Sequence, residues 1–214
     1  MAENKNLKDY DKQLVTFFIV NIVIFLCFVI NKNISIDALN QGYKNINLSE
    51  GIIAGGAGSI AVFILRGILS TNFKAILVFW RIKNPLPGCR IFTEIGKKDC
   101  RIDFDALENE HGELPKDPQE QNVLWYRLSQ KHKDEEMVHK SHRDFLFSRD
   151  LTALSFLFLI FYSAAAIFVS RDLKSIWYYL MLLVLQYVIF SIVSRNYGVR
   201  FACNVLAKES SSLK

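Results

Sequence analysis

Four long stretches of this chain contain almost no charged residue, and they restrict its possible folds more than any other feature. A helix rises about 1.5 Å per residue and needs about 20 apolar residues to cross a hydrocarbon core about 30 Å thick. The stretches that approach this length are residues 14–30, 51–69, 151–169 and 176–193. The sequence therefore predicts an all-α membrane protein with four transmembrane helices.

Charge is concentrated between the second and third stretches. Of the 214 residues 51% are hydrophobic and 22% are charged, and more than half of the charged residues lie between positions 70 and 150. We expect residues 1–69 to form an N-terminal tail with transmembrane helices 1 and 2, and residues 70–150 to form an inserted domain. Residues 151–194 are expected to form transmembrane helices 3 and 4, followed by a tail at 195–214.

Basic residues beside the stretches indicate the orientation of the bundle, because Lys and Arg in short flanks stay on the cytosolic side. Residues 71–101 carry seven basic residues: Lys74, Arg81, Lys83, Arg90, Lys97, Lys98 and Arg101. The loop at 32–50 carries only Lys32 and Lys44. We expect a multi-pass protein of the cell inner (plasma) membrane, with both termini and the insert in the cytosol. The net charge of +5 suits anionic membrane lipids and does not require a nucleic-acid partner.

The insert reads as mostly helical, with one ambiguous segment. Residues 73–80 continue the helical pattern of the second stretch, which predicts one helix that runs on until Asn84-Pro85. Residues 90–95 and 100–104 alternate in polarity, which predicts one β-hairpin as an alternative to helix there. Residues 134–169 contain neither Pro nor Gly, so we expect one helix that continues from the insert into the third span.

Small residues and one arginine stand out in the second stretch. Gly51, Gly55, Gly58 and Ser59 leave a flat strip that allows close helix packing, either between copies in an oligomer or inside one bundle. Arg66 lies near the inner end of this stretch. It fits either a side chain that extends to the lipid headgroups or a gating residue.

Two residues resemble a nucleotide-cleaving motif. Arg127 and His132 have the Arg-x4-His spacing of HEPN ribonucleases, whereas the ordinary alternative is a solvated helix end. A histidine and glutamate stripe at 132–142 could offer metal ligands, but interspersed Lys and Arg favour a hydrated face. The chain has no Gly-rich phosphate loop and no paired CxxC, so neither a cofactor nor a metal is expected.

The overall plan resembles the small multi-pass membrane accessory and effector proteins of prokaryotic anti-phage and CRISPR-associated defence systems. The residues that carry this resemblance are Gln121, Asn122, Trp125, Tyr126, Arg127, His132, Arg149 and Asp150. Some members of that group assemble as membrane pores. The resemblance implies an antiviral effector, with Gln121, Asn122, Trp125 and Tyr126 as candidates for partner binding.

Three functions remain open at this point. The first is a homo-oligomeric membrane effector or accessory subunit whose cytosolic domain receives a protein, nucleotide or RNA signal and alters the transmembrane bundle, either by perturbing the membrane or by forming a pore, as in anti-phage defence. The second is a passive anchor or scaffold that recruits a soluble partner. The third is a membrane-bound ribonuclease of the HEPN type.

Overall fold

The computed structural model describes residues 10–26, 48–169 and 173–213, and these residues are almost entirely helical. They form two compact units. The charged unit comprises residues 71–149 and 191–213, and the apolar unit comprises the described residues of 10–70 together with 150–190. The segment 195–213, predicted as a tail, thus belongs to the same unit as the insert.

Seven α-helices and three short helical turns make up the described chain. The α-helices are α1 (Asp11–Phe25), α2 (Leu48–Ile68), α3 (Thr71–Phe79), α4 (Phe104–His111), α5 (Pro118–Lys131), α6 (Glu136–Val169) and α7 (Leu173–Ser212). The turns are the 3₁₀ turn Pro87–Arg90, the π turn Ile91–Ile95 and the 3₁₀ turn Gly96–Lys98.

The β-hairpin predicted at 90–104 is wrong, because helical turns occupy residues 90–98, residues 99–103 form a non-helical link, and no strand occurs among the described residues. Ile91 and Phe92 are adjacent in sequence, and both are buried. A strand would send these two side chains to opposite faces. A helical turn instead lets both reach the core of the charged unit, so tertiary burial overrides the local alternation.

The predicted extension of the second helix to Asn84 is also wrong. Helix α2 ends at Ile68, and the separate helix α3 begins at Thr71 after two non-helical residues. Helix α3 ends at Phe79 because Trp80 adopts a positive φ of 53°, a left-handed conformation that stops an α-helix.

The predicted helix that continues from the insert is confirmed, although it starts at Glu136 instead of Asp134. Helix α6 has 34 residues, of which 136–149 lie in the charged unit and 150–169 in the apolar unit. Helix α7 has 40 residues and is likewise shared by both units. Two unbroken helices therefore belong to both parts of the molecule.

Within the described residues, the segments Glu136–Phe168 and Ile176–Ser212 are long and apolar enough to cross a membrane. A third span results if the broken pair Gly56–Ile68 and Thr71–Phe79 is counted as one. The expectation of a helical membrane protein is thus supported. The first predicted stretch is helical from residue 14 to the end of α1 at Phe25, and its residues 27–30 lie outside the described part.

The apolar unit has aromatic contacts inside and large apolar side chains outside. Phe17 contacts Phe158 and Phe190 with ring centroids 5.6 and 5.3 Å apart. By contrast, Phe63 is 78% exposed and Phe168 is 88% exposed. Water penalises such outward-facing rings, whereas lipid does not, so this surface suits a bilayer.

The charged unit is built around the last part of α7. Every residue from Phe201 to Ala207 is buried, so this stretch is enclosed on all sides, as expected for a helix at the centre of a unit. The apolar residues around it include Val78 and Phe79 from α3, Leu128 from α5 and Phe145 from α6.

Candidate functional site

A basic groove lies in the charged unit, between the helical turns at 90–101 and helix α7. Its volume is about 580 Å³. Its walls are formed by Arg90, Glu94, Ile95, Lys98, Asp99, Cys100, Arg101, Arg195, Asn196, Val199, Arg200 and Cys203. Sites for small molecules in proteins span roughly 300 to 1,000 Å³, so the groove has the size of a ligand site.

The two acidic residues of the groove are each bonded to an arginine. Arg90 Nη1 lies 3.2 Å from Glu94 Oε2, one helical turn away. Arg101 donates to both carboxylate oxygens of Asp99, at 2.9 Å from Nε and 2.6 Å from Nη2. These hydrogen bonds from Arg101 lower the pKa of Asp99 below its usual value.

Three basic residues of the groove keep their charge uncompensated. In the described part of the chain, no ion pair joins Lys98, Arg195 or Arg200 to an acidic residue. Five cations against two carboxylates leave the groove with a formal charge of +3, from five minus two. The groove therefore presents an electrostatic environment that favours an anion.

Arg195 is held in place by the end of helix α3. Its guanidinium group lies 4.5 Å from the centre of the Trp80 ring, a cation–π arrangement. Its Nε and Nη2 each lie 3.4 Å from the carbonyl oxygen of Val78, and the Ser191 hydroxyl donates to the same oxygen at 3.1 Å. The last carbonyls of a helix lack partners within it. Ser191 and Arg195 of α7 therefore cap the end of α3, and the same hydrogen bonds fix the position of the Arg195 side chain.

A second polar cluster surrounds the buried carboxylate of Glu209 near the end of α7. Oε1 is 2.9 Å from His111 Nε2 and 2.9 Å from Lys131 Nζ, while Oε2 bonds to His132 Nε2. Glu209 is fully buried, and the His132 side chain is 7% exposed. The cluster joins the ends of α4, α5 and α7, and its hydrogen bonds replace the water that the Glu209 carboxylate loses on folding.

The predicted Arg127 and His132 pair differs in exposure and environment. Arg127 is exposed on α5, whereas the imidazole of His132 is buried against Glu209. Ribonuclease chemistry at these residues stays a prediction. The geometry assigns His132 a bond that holds the charged unit together.

The His and Glu side chains of the stripe at 132–142 do not converge on one point. His142 stacks on Phe201 with ring centroids 4.5 Å apart, and Glu135 pairs with Lys208 at 3.1 Å. Among the residues that the structure describes, no group of three or more His, Cys, Asp or Glu side chains is arranged to hold a metal ion.

The predicted partner-binding residues on α5 make mostly internal contacts. Gln121 is buried, and its Oε1 accepts from the Phe92 amide at 3.1 Å, which fixes the π turn to α5. Trp125 donates to the Ala202 carbonyl at 3.2 Å. Asn122 is half-buried, and Tyr126 is 57% exposed. Partner binding here stays a prediction, with Tyr126 as the most accessible of the four.

Arg66 forms an ion-pair cluster within the apolar unit. Its Nη1 lies 2.6 Å from Asp11 Oδ1, and its Nε lies 3.1 Å from Asp150 Oδ2. Asp150 is 1% exposed and also accepts from the Tyr10 hydroxyl at 3.2 Å. Arg66 therefore joins α2 to α6 through the buried carboxylate of Asp150 and to α1 through Asp11, whose side chain is 64% exposed, a role that the sequence did not indicate.

The small residues of α2 face different surroundings. A Cβ on Gly58 would lie 3.3 Å from Val15 Cγ1, so Gly58 packs closely against α1 of the same chain. Ser59 is exposed. Gly56, which follows Gly55 but is not one of the predicted strip residues, has no atom within 4 Å of a Cβ. Gly51 and Gly55 lie in α2, but their surroundings are outside the described part.

Sequence reasoning missed both Glu209 and the groove wall at 195–203. The acidic residue stands alone in a segment that reads as a basic tail, and no local pattern marks it. The run Phe201-Ala-Cys-Asn-Val-Leu-Ala207 is the signal that could have placed this segment in a core.

No family model, no curated protein and no solved structure matches the chain.

Proposed function

We propose that this chain is an integral membrane effector or accessory subunit that receives a signal in the charged unit and alters its transmembrane bundle. The observation that supports this most is the continuity of α6 and α7, each of which belongs to both units. A helix is a stiff element, so a displacement of its charged part also displaces its apolar part. A passive anchor needs only one flexible connection.

The proposed membrane arrangement has four spans, with the charged unit and both termini in the cytosol of the inner membrane. Two long apolar helices and the outward-facing aromatic rings support insertion in lipid. The excess of Lys and Arg beside the spans supports the orientation. A role in anti-phage defence is proposed only from the resemblance of the overall plan.

Arg66 is the proposed gating residue of this bundle. Charges inside an apolar unit are costly unless they are paired, so the contacts of Arg66 with Asp11 and Asp150 stabilise one arrangement of three helices. A signal that separates these groups would favour another arrangement. This gives the bundle two states that a change in the charged unit could select.

The test is membrane depolarisation during induced expression in bacterial cells. Arg66→Gln should change the extent or onset of depolarisation, because it removes the charge that joins the helices. The matched control is Arg81→Gln, the same change at an exposed arginine of the charged unit. If wild type and Arg66→Gln behave identically, the gating role is refuted; if wild type causes no depolarisation, the pore is refuted.

The proposed homo-oligomer forms through the open face of α2. Gly56→Leu adds bulk where the chain itself leaves space, so it should disturb contacts between copies but not the fold of one copy. Gly58→Leu is less informative, because it also clashes with α1. Mass photometry in detergent should show fewer oligomers for Gly56→Leu than for the wild type, and the same loss for Gly67→Leu, which lies about three helical turns away on the same open face. Monomers in the wild type would exclude the oligomer.

A further inference from the structure

We propose that the basic groove of the charged unit binds a phosphate-bearing anion, a proposal that rests on the signal-receiving role proposed above and names the ligand class. The formal charge of +3 favours an anionic ligand over a cation or a neutral polar ligand. Four of the five cations are arginines, whose planar guanidinium groups bind phosphate oxygens through paired hydrogen bonds.

One buried donor on a residue that lines the groove lacks a partner. Arg90 Nε is buried and has no hydrogen-bond acceptor among the described residues, although Nη1 of the same side chain is bonded to Glu94. A buried donor on a charged group that lacks an acceptor is costly, because it has lost its hydrogen bond to water. An anion with several oxygen atoms at this wall accepts that hydrogen bond once the Arg90 side chain turns its Nε into the groove.

Other contacts hold the groove in shape before a ligand arrives. Arg101 is fixed by Asp99 and also donates to Asn204 Oδ1 at 3.0 Å, and Arg195 is fixed by the end of α3. Fixed cations lose little conformational freedom on binding, which favours affinity. Lys98 and Arg200 are exposed and free to move onto the ligand.

The ligand can come from two sources that share this chemistry. Ile95 and Val199 offer apolar walls for the remainder of a soluble phosphate compound, such as the base of a nucleotide. A phospholipid headgroup is the other source, because Arg195 and Arg200 follow closely after the apolar stretch that ends at residue 193.

The position of Arg195 and Arg200 on α7 explains how binding would act on the rest of the chain. Both arginines lie on a helix that continues into the apolar unit. An anion that draws the turns at 90–101 towards α7 would shift this helix. The groove thus provides the receiving end of the proposed coupling.

The test measures alkylation of Cys100 in full-length protein, because this exposed thiol lines the groove. Pyrophosphate is the soluble probe for protein in neutral detergent. The lipid probe is a nanodisc of phosphatidylcholine and phosphatidylglycerol in equal parts, compared with pure phosphatidylcholine. Peptide mass spectrometry reports how far each probe protects Cys100 from N-ethylmaleimide, and near-UV circular dichroism checks that each variant is folded.

The decisive variants are two matched charge-removing pairs. Lys98→Gln with Arg200→Gln should weaken protection by about tenfold, which corresponds to about 1.4 kcal/mol. Lys133→Gln with Arg81→Gln removes two exposed charges of the same unit outside the groove and should keep the protection.

The two probes separate the possible sources of the ligand. Protection by pyrophosphate that only the groove variant loses supports a soluble ligand, and the same pattern with phosphatidylglycerol supports a headgroup. No protection by either probe, or equal loss in both variants, overturns the proposal. Protection without any depolarisation would instead refute the coupling and leave the binding site intact.

Discussion

Replacing Glu209 with glutamine should destabilise the charged unit by about 3 kcal/mol. A hydrogen bond to a charged group contributes about 1.5 to 3 kcal/mol, and this range applies to His132, which is 7% exposed. His111 is 20% exposed and adds about 1 kcal/mol more. The Lys131 side chain is 53% exposed, so solvent reduces its contribution to between about 0 and 1 kcal/mol. Glutamine keeps one accepting oxygen, but its NH₂ group takes the place of the second carboxylate oxygen and faces a donor of the cluster.

Urea unfolding of the full-length protein in mild detergent measures this loss. Near-UV circular dichroism reports on the packed aromatic residues of the charged unit, where Trp125 meets Phe201 with ring centroids 5.4 Å apart. The control is Glu135→Gln, the same chemical change at an exposed residue that pairs with Lys208. It should cost less than about 1 kcal/mol. Equal midpoints for the two variants would show that the Glu209 cluster does not stabilise the unit.

Further variants test other contacts of the charged unit by the same urea assay. Gly198→Val should cost about 1 to 3 kcal/mol, because a Cβ would lie 2.7 Å from Phe79 Cζ; an unchanged midpoint would contradict this close packing. Gln121→Leu should cost about 1 to 3 kcal/mol by leaving the Phe92 amide unsatisfied, and a stabilised variant would refute that bond. Hydrogen bonds from Arg101 lower the pKa of Asp99 below 3.8, so the pair stabilises the fold above that pH and the effect disappears as pH falls through the folded-state pKa. Asp99→Asn should therefore be destabilised near neutral pH and match wild type in strong acid; a pH-independent difference would contradict the assignment.

These predictions separate two kinds of polar cluster in the molecule. The Glu209 cluster is buried and closed, so its expected effect is on stability. The groove is open and has an excess of positive charge, so its expected effect is on binding. A variant that changes only one of these properties therefore identifies the cluster to which its residue belongs.

The sequence alone indicated the helical character of the chain, the long apolar segments and the helix that enters the third stretch. These features depend on residues near one another, such as the absence of Pro and Gly between 134 and 169. The start of α5 also depends on neighbouring residues, although it was not predicted. Asp117 accepts from the amides of Gln119 and Glu120, and Pro118 follows it at the first helical position.

Only the tertiary structure decided which residues form the site and how the turns at 87–98 are built. His132 and Glu209 are 77 residues apart, and Arg101 and Asn204 are 103 residues apart, so no local pattern could pair them. The turns are helical because the core requires Ile91 and Phe92 on the same side. The free energy gained by burial depends on what a segment packs against. The last part of α7, which the sequence analysis had predicted to be a tail, is the element that Ile91 and Phe92 share a core with.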